Sequence, residues 1–311
     1  MFKELAVLSP SFSANVALRS ATLEIAESVR FNDDQLPLST SKLLDFIGKA
    51  EAIILGLDVL TKEVLEHCSG LRYVSKYGVG TDNIDWELFA EFNLRVALSE
   101  GSNAQSVAEY TLGNIIGLLH NVSNTMPGLK AGYWNKSGGT DLRGKNVGIL
   151  GLGHIGKQLC KMLQQFGVEI AYYDPKRSPE MESEGYLRYL PFESLLSSSD
   201  VLTIHASLNE TSRNMIGFNE FELMKVSSYL VNYARSDIVE FNALRHEVLN
   251  NKKLAGVALD VYPFEPFDDV EFLSCPRVFC TPHTAGNSRE AVLSMGQAAI
   301  KSLVKLKEDE S

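Results

Sequence analysis

The chain has 311 residues, 45% of them hydrophobic and 22% charged, an ordinary globular balance at a length that suggests about two domains. Its net charge of −10 argues against nucleic acid or an anionic membrane surface as the main partner, but leaves an anionic small-molecule substrate open, because a few local Arg side chains and N–H groups decide that. No apolar run reaches the ~18 residues of a membrane span, the N-terminus lacks the layout of a secretory signal, and Cys68, Cys160, Cys275 and Cys280 are scattered with no C-x-x-C spacing, which reads as reduced thiols in a cytoplasmic protein and not as disulfides or a metal site.

Residues 1 to about 100 read as alternating strands and helices. Strands are expected at Leu5 to Leu8, Ala52 to Leu55, Leu71 to Ser75 and Leu94 to Leu98, and a short helix over Thr61 to His67 with Thr61 as its N-cap. This rhythm implies a parallel sheet covered by helices. Between the last two strands lies Lys76-Tyr77-Gly78-Val79-Gly80-Thr81-Asp82-Asn83-Ile84-Asp85. Its glycines make a loop able to aim backbone N–H groups at an anion; a plain turn with Asp82 and Asn83 capping the next helix is the alternative. Glu100-Gly101-Ser102-Asn103 breaks the pattern as a hinge would. From Ala104 to about Val122 comes a long helix, apolar on more than one face, that is either deeply buried or part of a subunit contact. Residues 126 to 145 carry Pro127, Gly128, Gly132, Gly138 and Gly139 and read as a long irregular connection, in which Trp134 suits a core or an interface.

The stretch Val147 to Lys157 is the most informative. An apolar strand stops at Gly151, glycines follow at 153 and 156, and an amphipathic helix begins, with Ile155, Leu159, Met162 and Leu163 on one face. Gly151 allows a tight turn, Gly153 lets a pyrophosphate approach the backbone, and Gly156 lets the helix pack on the strand. The helix N-terminus then offers free N–H groups and a positive dipole end to phosphate. A second apolar strand, Val168 to Tyr173, ends in Asp174, 18 residues after Gly156. A carboxylate there accepts hydrogen bonds from the adenosine ribose hydroxyls and repels a 2′-phosphate, so NAD is favoured over NADP. Lys176 and Arg177 keep some tolerance of NADP open.

A second series of strands follows at Asp200 to His205, Ser228 to Asn232, Ala255 to Asp260 and Val278 to Cys280, and a last amphipathic helix spans about Ser288 to Leu306. Three of these strands lead to Arg235, to Asp260 with Glu265, and to His283. In a nucleotide-binding sheet all should face the crevice at the C-terminal strand ends. Arg235 offers a planar fork for a carboxylate, His283 suits proton transfer near neutral pH, and Glu265, if it sits beside the ring, would favour the imidazolium and hold it oriented. Each has a bland alternative when taken singly: a surface ion pair for Arg235, a turn cap for Asp260, a solvated carboxylate for Glu265, a structural histidine for His283. Their joint appearance behind a nucleotide fingerprint favours an active site.

Together these residues resemble the D-isomer-specific 2-hydroxyacid dehydrogenases, a family that includes phosphoglycerate dehydrogenase and glyoxylate/hydroxypyruvate reductases. The resemblance covers almost the whole chain. It rests on Gly78 to Asp85, Ser106-Val107-Ala108-Glu109, the glycine loop with Asp174, Val231-Asn232-Tyr233-Ala234-Arg235, Ala258-Leu259-Asp260-Val261 with Glu265-Pro266, and Thr281-Pro282-His283. It implies an α/β fold of two doubly wound parallel-sheet domains. A Rossmann NAD-binding domain, 102–284, would be inserted into a flavodoxin-like substrate domain formed by 1–101 and 285–311. It implies a homodimer formed through the inserted domain and a small-molecule 2-hydroxy or 2-keto acid as substrate, with no metal. Cofactor contacts are implied for Gly151, Gly153, His154, Ile155, Gly156, Asp174, Ala206, Tyr233, Ala234, Arg235, Asp260, His283 and Gly286, with Asp260 near the carboxamide. Val79, Gly80 and Asn103 would border the substrate together with Arg235 and His283. The catalytic residues would be Arg235, Glu265 and His283. In the implied reaction a hydride passes between C2 of the acid and C4 of nicotinamide. Arg235 and the N–H groups at Val79 and Gly80 would hold the carboxylate, and His283, paired with Glu265, would exchange the hydroxyl proton.

The chain departs from the family pattern in four places. Ser236 follows Arg235 where glycine is usual; His205-Ala206-Ser207 lacks the usual proline; the loop from Gly56 to Thr61 has no Arg, which counts against a phosphorylated substrate; and no C-terminal serine-sensing domain is expected after the last helix. A non-enzymatic, NAD-responsive scaffold on the same fold is the rival expectation, although no disordered tail or peptide-docking extension speaks for it. An amino acid dehydrogenase would more naturally place a Lys among its catalytic groups.

Overall fold

A computed structural model describes residues 1–34 and 38–309, so the last two residues of the expected substrate domain lie outside the described residues. The chain divides into two compact units, Met1–Asn103 with Gly286–Ser311, and Ala104–Ala285. The crossings thus fall at 103/104 and 285/286, against the expected 101/102 and 284/285.

The first unit holds β1 (Phe2–Val7), β2 (Ala26–Phe31), β3 (Ala52–Leu55), β4 (Tyr73–Lys76) and β5 (Arg95–Ala97). They form one sheet in the order β2-β1-β3-β4-β5, parallel throughout, the flavodoxin-like doubly wound order. Its central strands β3 and β4 are buried along their whole length, as parallel strands covered on both faces must be. One apolar layer includes Leu43 and Ile47 of the Thr40–Ile47 helix and Val64 and Leu65 of the Lys62–His67 helix. The other includes Leu18 and, from the chain's last helix, Arg289–Glu308, Met295, Ala299 and Leu303. Ser75 Oγ at the sheet centre donates to Ala299 O at 2.8 Å. Thr61 caps its helix by accepting from Val64 N. The Trp86–Glu91 helix is capped by Asp85, whose Oδ1 accepts from Leu88 N at 2.9 Å. Asp82 and Asn83, the sequence's alternative caps, lie too early for this. The Asn83 amide instead ties two loops together, donating to Gly56 O at 3.1 Å and Asp58 O at 2.7 Å.

The second unit holds β6 (Asn146–Leu150), β7 (Glu169–Tyr173), β8 (Leu187–Tyr189), β9 (Val201–Ile204), β10 (Tyr229–Asn232), β11 (Gly256–Leu259) and β12 (Val278–Cys280). Their order is β12-β11-β10-β9-β6-β7-β8, again parallel. The order of winding reverses between β6 and β9, which is the Rossmann switch point. The helix expected from Ala104 ends at Leu119 and lies on this sheet with Val107, Ala108, Ile115, Leu118 and Leu119 in the core. At Asn121 the backbone turns left-handed (φ 58°) and a second helix, Val122–Lys130, begins. This corrects the expected irregular connection for residues 126–130 alone, since 131–145 hold no helix or strand: Pro127 and Gly128 sit inside a short helix that buries none of its residues, so little packing is lost by their presence. No helix among the described residues is long and apolar enough to cross a membrane, and no cluster of His, Cys, Asp and Glu there could hold a metal ion. Cys160 is buried, and burial pushes its thiol up to about 12; it is a packing residue of the His154–Leu163 helix.

Candidate active site

The glycine loop follows β6 at the switch point. Gly151 has φ +97°, and a Cβ there would lie 2.4 Å from Ala206 N. Here the chain passes so close to the end of β9 that a side chain has no room. His205 N donates to Leu150 O at 2.7 Å across the same gap. A Cβ on Gly156 would lie 2.3 Å from Gly151 O, so that glycine is required by helix-on-turn packing. Gly153 differs from both: a Cβ there meets no protein atom within 4 Å. Nothing inside the protein demands glycine at 153, and the space in front of its backbone is open. The helix His154–Leu163 begins there with no side-chain cap, so its N-terminal N–H groups and positive dipole end are presented to that space. Such a cradle fits a dinucleotide pyrophosphate.

Asp174, at the end of β7, stands beside the loop. Its Oδ2 accepts from Leu152 N at 2.8 Å and its Oδ1 from Lys176 N at 2.8 Å. The carboxylate therefore braces the glycine loop from beside it. Arg177 is committed elsewhere. It pairs with Glu182, and its guanidinium lies 4.7 Å from the Tyr189 ring centroid.

The C-terminal ends of β10, β11 and β12 are neighbours in the sheet, and they carry the predicted trio. His283 and Glu265 meet: His283 Nδ1 lies 3.0 Å from Glu265 Oε2 and 3.1 Å from Oε1. The pair is half-exposed, 50% and 41% by side chain, so both groups can be reached from outside. Asp260, only 1% exposed, is a buried anchor for the histidine loop. Its Oδ1 accepts from Thr281 Oγ1 at 2.6 Å and Thr284 N at 2.8 Å, and its Oδ2 from Ala285 N at 2.8 Å. Three donors on one buried carboxylate hold both sides of His283, whose backbone sits in the left-handed region at φ +53°. A non-glycine residue held there is strained by about 1–3 kcal/mol and persists only where its surroundings over-determine it.

Arg235 follows β10 and is half-buried, its Nη1 donating to Ala234 O at 2.8 Å and its backbone carbonyl accepting from Asn232 Nδ2 at 2.9 Å. Tyr233 faces inward, its ring 5.6 Å from that of Tyr110, with a buried hydroxyl that has no hydrogen-bond partner among the described residues. Burial keeps that phenol protonated by raising its pKa. At the end of β9, His205 is buried with Nε2 2.9 Å from Thr203 Oγ1, and burial lowers its pKa to about 3; it is a neutral imidazole. Ala206, next to it, borders Gly151. Val79, Gly80 and Asn103 belong to the first unit and Gly286 begins that unit's second segment. Asn103 Oδ1 is buried and has no hydrogen-bond partner among the described residues. Sequence reasoning missed Thr284 and Tyr262, whose hydroxyl donates to Thr281 O at 2.8 Å. Their signal is spatial: it comes from the adjacency of β11 and β12, which no spacing in the chain announces.

Residues 112–285 match the family model for the D-isomer specific 2-hydroxyacid dehydrogenase, NAD binding domain. The chain belongs to the D-isomer specific 2-hydroxyacid dehydrogenase family. Its class is that of the NAD-dependent oxidoreductases. It is 32% identical to the glyoxylate reductase of Thermococcus litoralis over 84% of this chain and 82% of that protein. It is 31% identical to the D-3-phosphoglycerate dehydrogenase of Methanocaldococcus jannaschii over 93% of this chain, but spans only 56% of that longer protein. Among solved structures, the NAD complex of NAD-dependent formate dehydrogenase from Staphylococcus aureus superposes with a TM-score of 0.84 at 27% identity, over 99% of this chain and 96% of that one.

Proposed function

We propose that the protein interconverts a D-2-hydroxy acid and its 2-keto acid, with NAD as the coenzyme. One observation carries this reading: an accessible imidazole held by a carboxylate at 3.0 Å, on a strained loop fixed by buried Asp260, in a sheet that also bears an open glycine cradle. When bound, the coenzyme supplies or accepts the hydride at C2 of the acid. His283 donates a proton to the forming hydroxyl during keto-acid reduction and takes it back during oxidation. Glu265 engages Nδ1, which fixes the ring and leaves Nε2 for the substrate. Arg235 binds the carboxylate through its fork of N–H donors.

Gly151, Gly153 and Gly156, with His154 and Ile155 at the helix start, hold the pyrophosphate. Asp174 takes the adenosine ribose. Because Asp174 is acidic and Arg177 is already paired with Glu182, NAD is preferred to NADP. Ala206, Tyr233, Ala234, Asp260 and Gly286 are proposed contacts for the rest of the coenzyme, and Val79, Gly80 and Asn103 for the substrate. The loop from Gly56 to Thr61 contains no Arg and presents Leu57 and Val59, 83% and 56% exposed. This favours an unphosphorylated acid such as glyoxylate or hydroxypyruvate over 3-phosphohydroxypyruvate. A homodimer through the second unit suits Met126, Leu129, Tyr133 and Trp134, large apolar side chains that are exposed near one another in the chain.

The test is loss of NADH absorbance against glyoxylate, hydroxypyruvate and 3-phosphohydroxypyruvate. Turnover with either of the first two and little with the third is expected. Tight NADH binding with no turnover on any keto acid would reject the enzyme in favour of a coenzyme-responsive scaffold.

A further inference from the structure

Two loops must be held in register for the His283–Glu265 pair to exist. One leaves β11 and carries Glu265; the other leaves β12 and carries His283. Asp260 grips the second loop from below by Thr281 Oγ1, Thr284 N and Ala285 N, but it lies five residues before Glu265 and does not fix that residue's height. Tyr262 bridges the two loops directly. Its hydroxyl donates to Thr281 O at 2.8 Å, with Leu259 O a second neighbour at 3.3 Å. Thr281 O is also the acceptor for His283 N at 3.0 Å. The same carbonyl thus closes the tight turn that puts His283 at φ +53° and receives the tyrosine hydroxyl. On its other side, the Tyr262 ring stacks on Phe267, centroids 4.8 Å apart and planes 17° off parallel. Phe267 is anchored in turn against Phe241 at 5.4 Å. Glu265 lies between these two stacked residues in the chain, so the stack closes the small loop that presents it. The phenol is kept neutral and able to donate: burial foremost, then the neighbouring Cys280 and Asp260, raise its pKa.

We infer that Tyr262 is a positioning residue for the proton-transfer pair, acting through Thr281 O to fix the His283 turn against the Glu265 loop. The inference rests on the dehydrogenase function proposed above. Tyr262→Phe keeps the ring stack and removes only the hydroxyl. A lost neutral hydrogen bond of this kind corresponds to a roughly three- to tenfold effect. That loss should appear in kcat, with the KM for NADH, NADH affinity and the melting temperature close to wild type. A purely structural role would raise that KM, weaken NADH binding and lower the melting temperature together. In protein without added coenzyme, the His283 side-chain resonances in proton–nitrogen NMR spectra should shift or broaden in Tyr262→Phe while those of buried His205 stay in place. In a His283→Ala background, Tyr262→Phe should change the residual rate no further, since residues acting as one unit are not additive. Wild-type kcat with an unmoved His283 resonance in Tyr262→Phe overturns the inference, as does a rate loss that persists in the His283→Ala background. Wild-type protein that consumes no NADH with any keto acid overturns the dehydrogenase function itself, and the inference with it.

Discussion

The three glycines of the nucleotide loop should respond differently to a single methyl group. At Gly156, a Cβ would lie 2.3 Å from Gly151 O. That oxygen cannot retreat, because Gly151 is itself pinned at φ +97° with its N–H on Tyr173 O at 2.9 Å. Gly156→Ala should therefore cost about 1–3 kcal/mol of folding stability through overpacking. At Gly153 the backbone is extended and outside the left-handed region, with φ −74°, and no protein atom lies within 4 Å of the added carbon. Gly153→Ala should leave stability within about 0.5 kcal/mol of wild type. The methyl would occupy the space in front of the helix N-terminus, and loss of one charge-assisted hydrogen bond there, about 1.5–3 kcal/mol, weakens NADH binding tenfold or more. Urea unfolding followed by circular dichroism and NADH fluorescence titration separate the two effects. If Gly153→Ala binds NADH as tightly as wild type, the coenzyme does not approach that backbone. If it unfolds as easily as Gly156→Ala, the open space is not open.

Buried His205 predicts a pH effect. Its folded pKa, about 3 because of burial, lies below the unfolded value near 6.5, so its contribution is complete above pH 6.5 and is lost as pH falls toward 3. Between pH 7 and 5, wild type should lose about 2 kcal/mol more unfolding free energy than His205→Gln; equal losses in urea titrations would contradict a buried neutral imidazole. Asp174→Ser should weaken NADH binding, because Leu152 N and Lys176 N both lose a charged acceptor, and should shift the NADPH-to-NADH affinity ratio toward NADPH by about tenfold, the scale of one charge-assisted hydrogen bond. An unchanged ratio would show that the ribose is read elsewhere.

The strands that end at Gly151, Asp174, Asn232 and Asp260 were legible because they are buried on both faces and read as continuous apolar runs broken by glycine or a polar residue. The helix cap Thr61 was legible because capping is local chemistry. Strands β2 and β8 were not legible. Both carry exposed polar residues, Glu27, Ser28 and Arg188, between their apolar ones, which breaks the apolar run that marks the edge strands β5 and β12. The Val122–Lys130 helix was hidden by Pro127 and Gly128, which punctuate most sequences but are tolerated on a surface turn of helix. The partnership of His283 with Glu265 was expected from the family resemblance, and residue chemistry gave its purpose. The clamp of Asp260 on the histidine loop and the bridge made by Tyr262 were not, because both join residues about twenty positions apart through the pairing of β11 with β12.

The decisive measurement is a single-turnover comparison of wild type and His283→Ala with NADH and the best keto acid, alongside NADH binding by fluorescence. Removal of the imidazole should slow NADH oxidation about a hundredfold or more, the usual contribution of a positioned acid–base group, while NADH binds with nearly wild-type affinity. Oxidation at the wild-type rate in His283→Ala would contradict the assignment of proton transfer to the pair at the ends of β11 and β12.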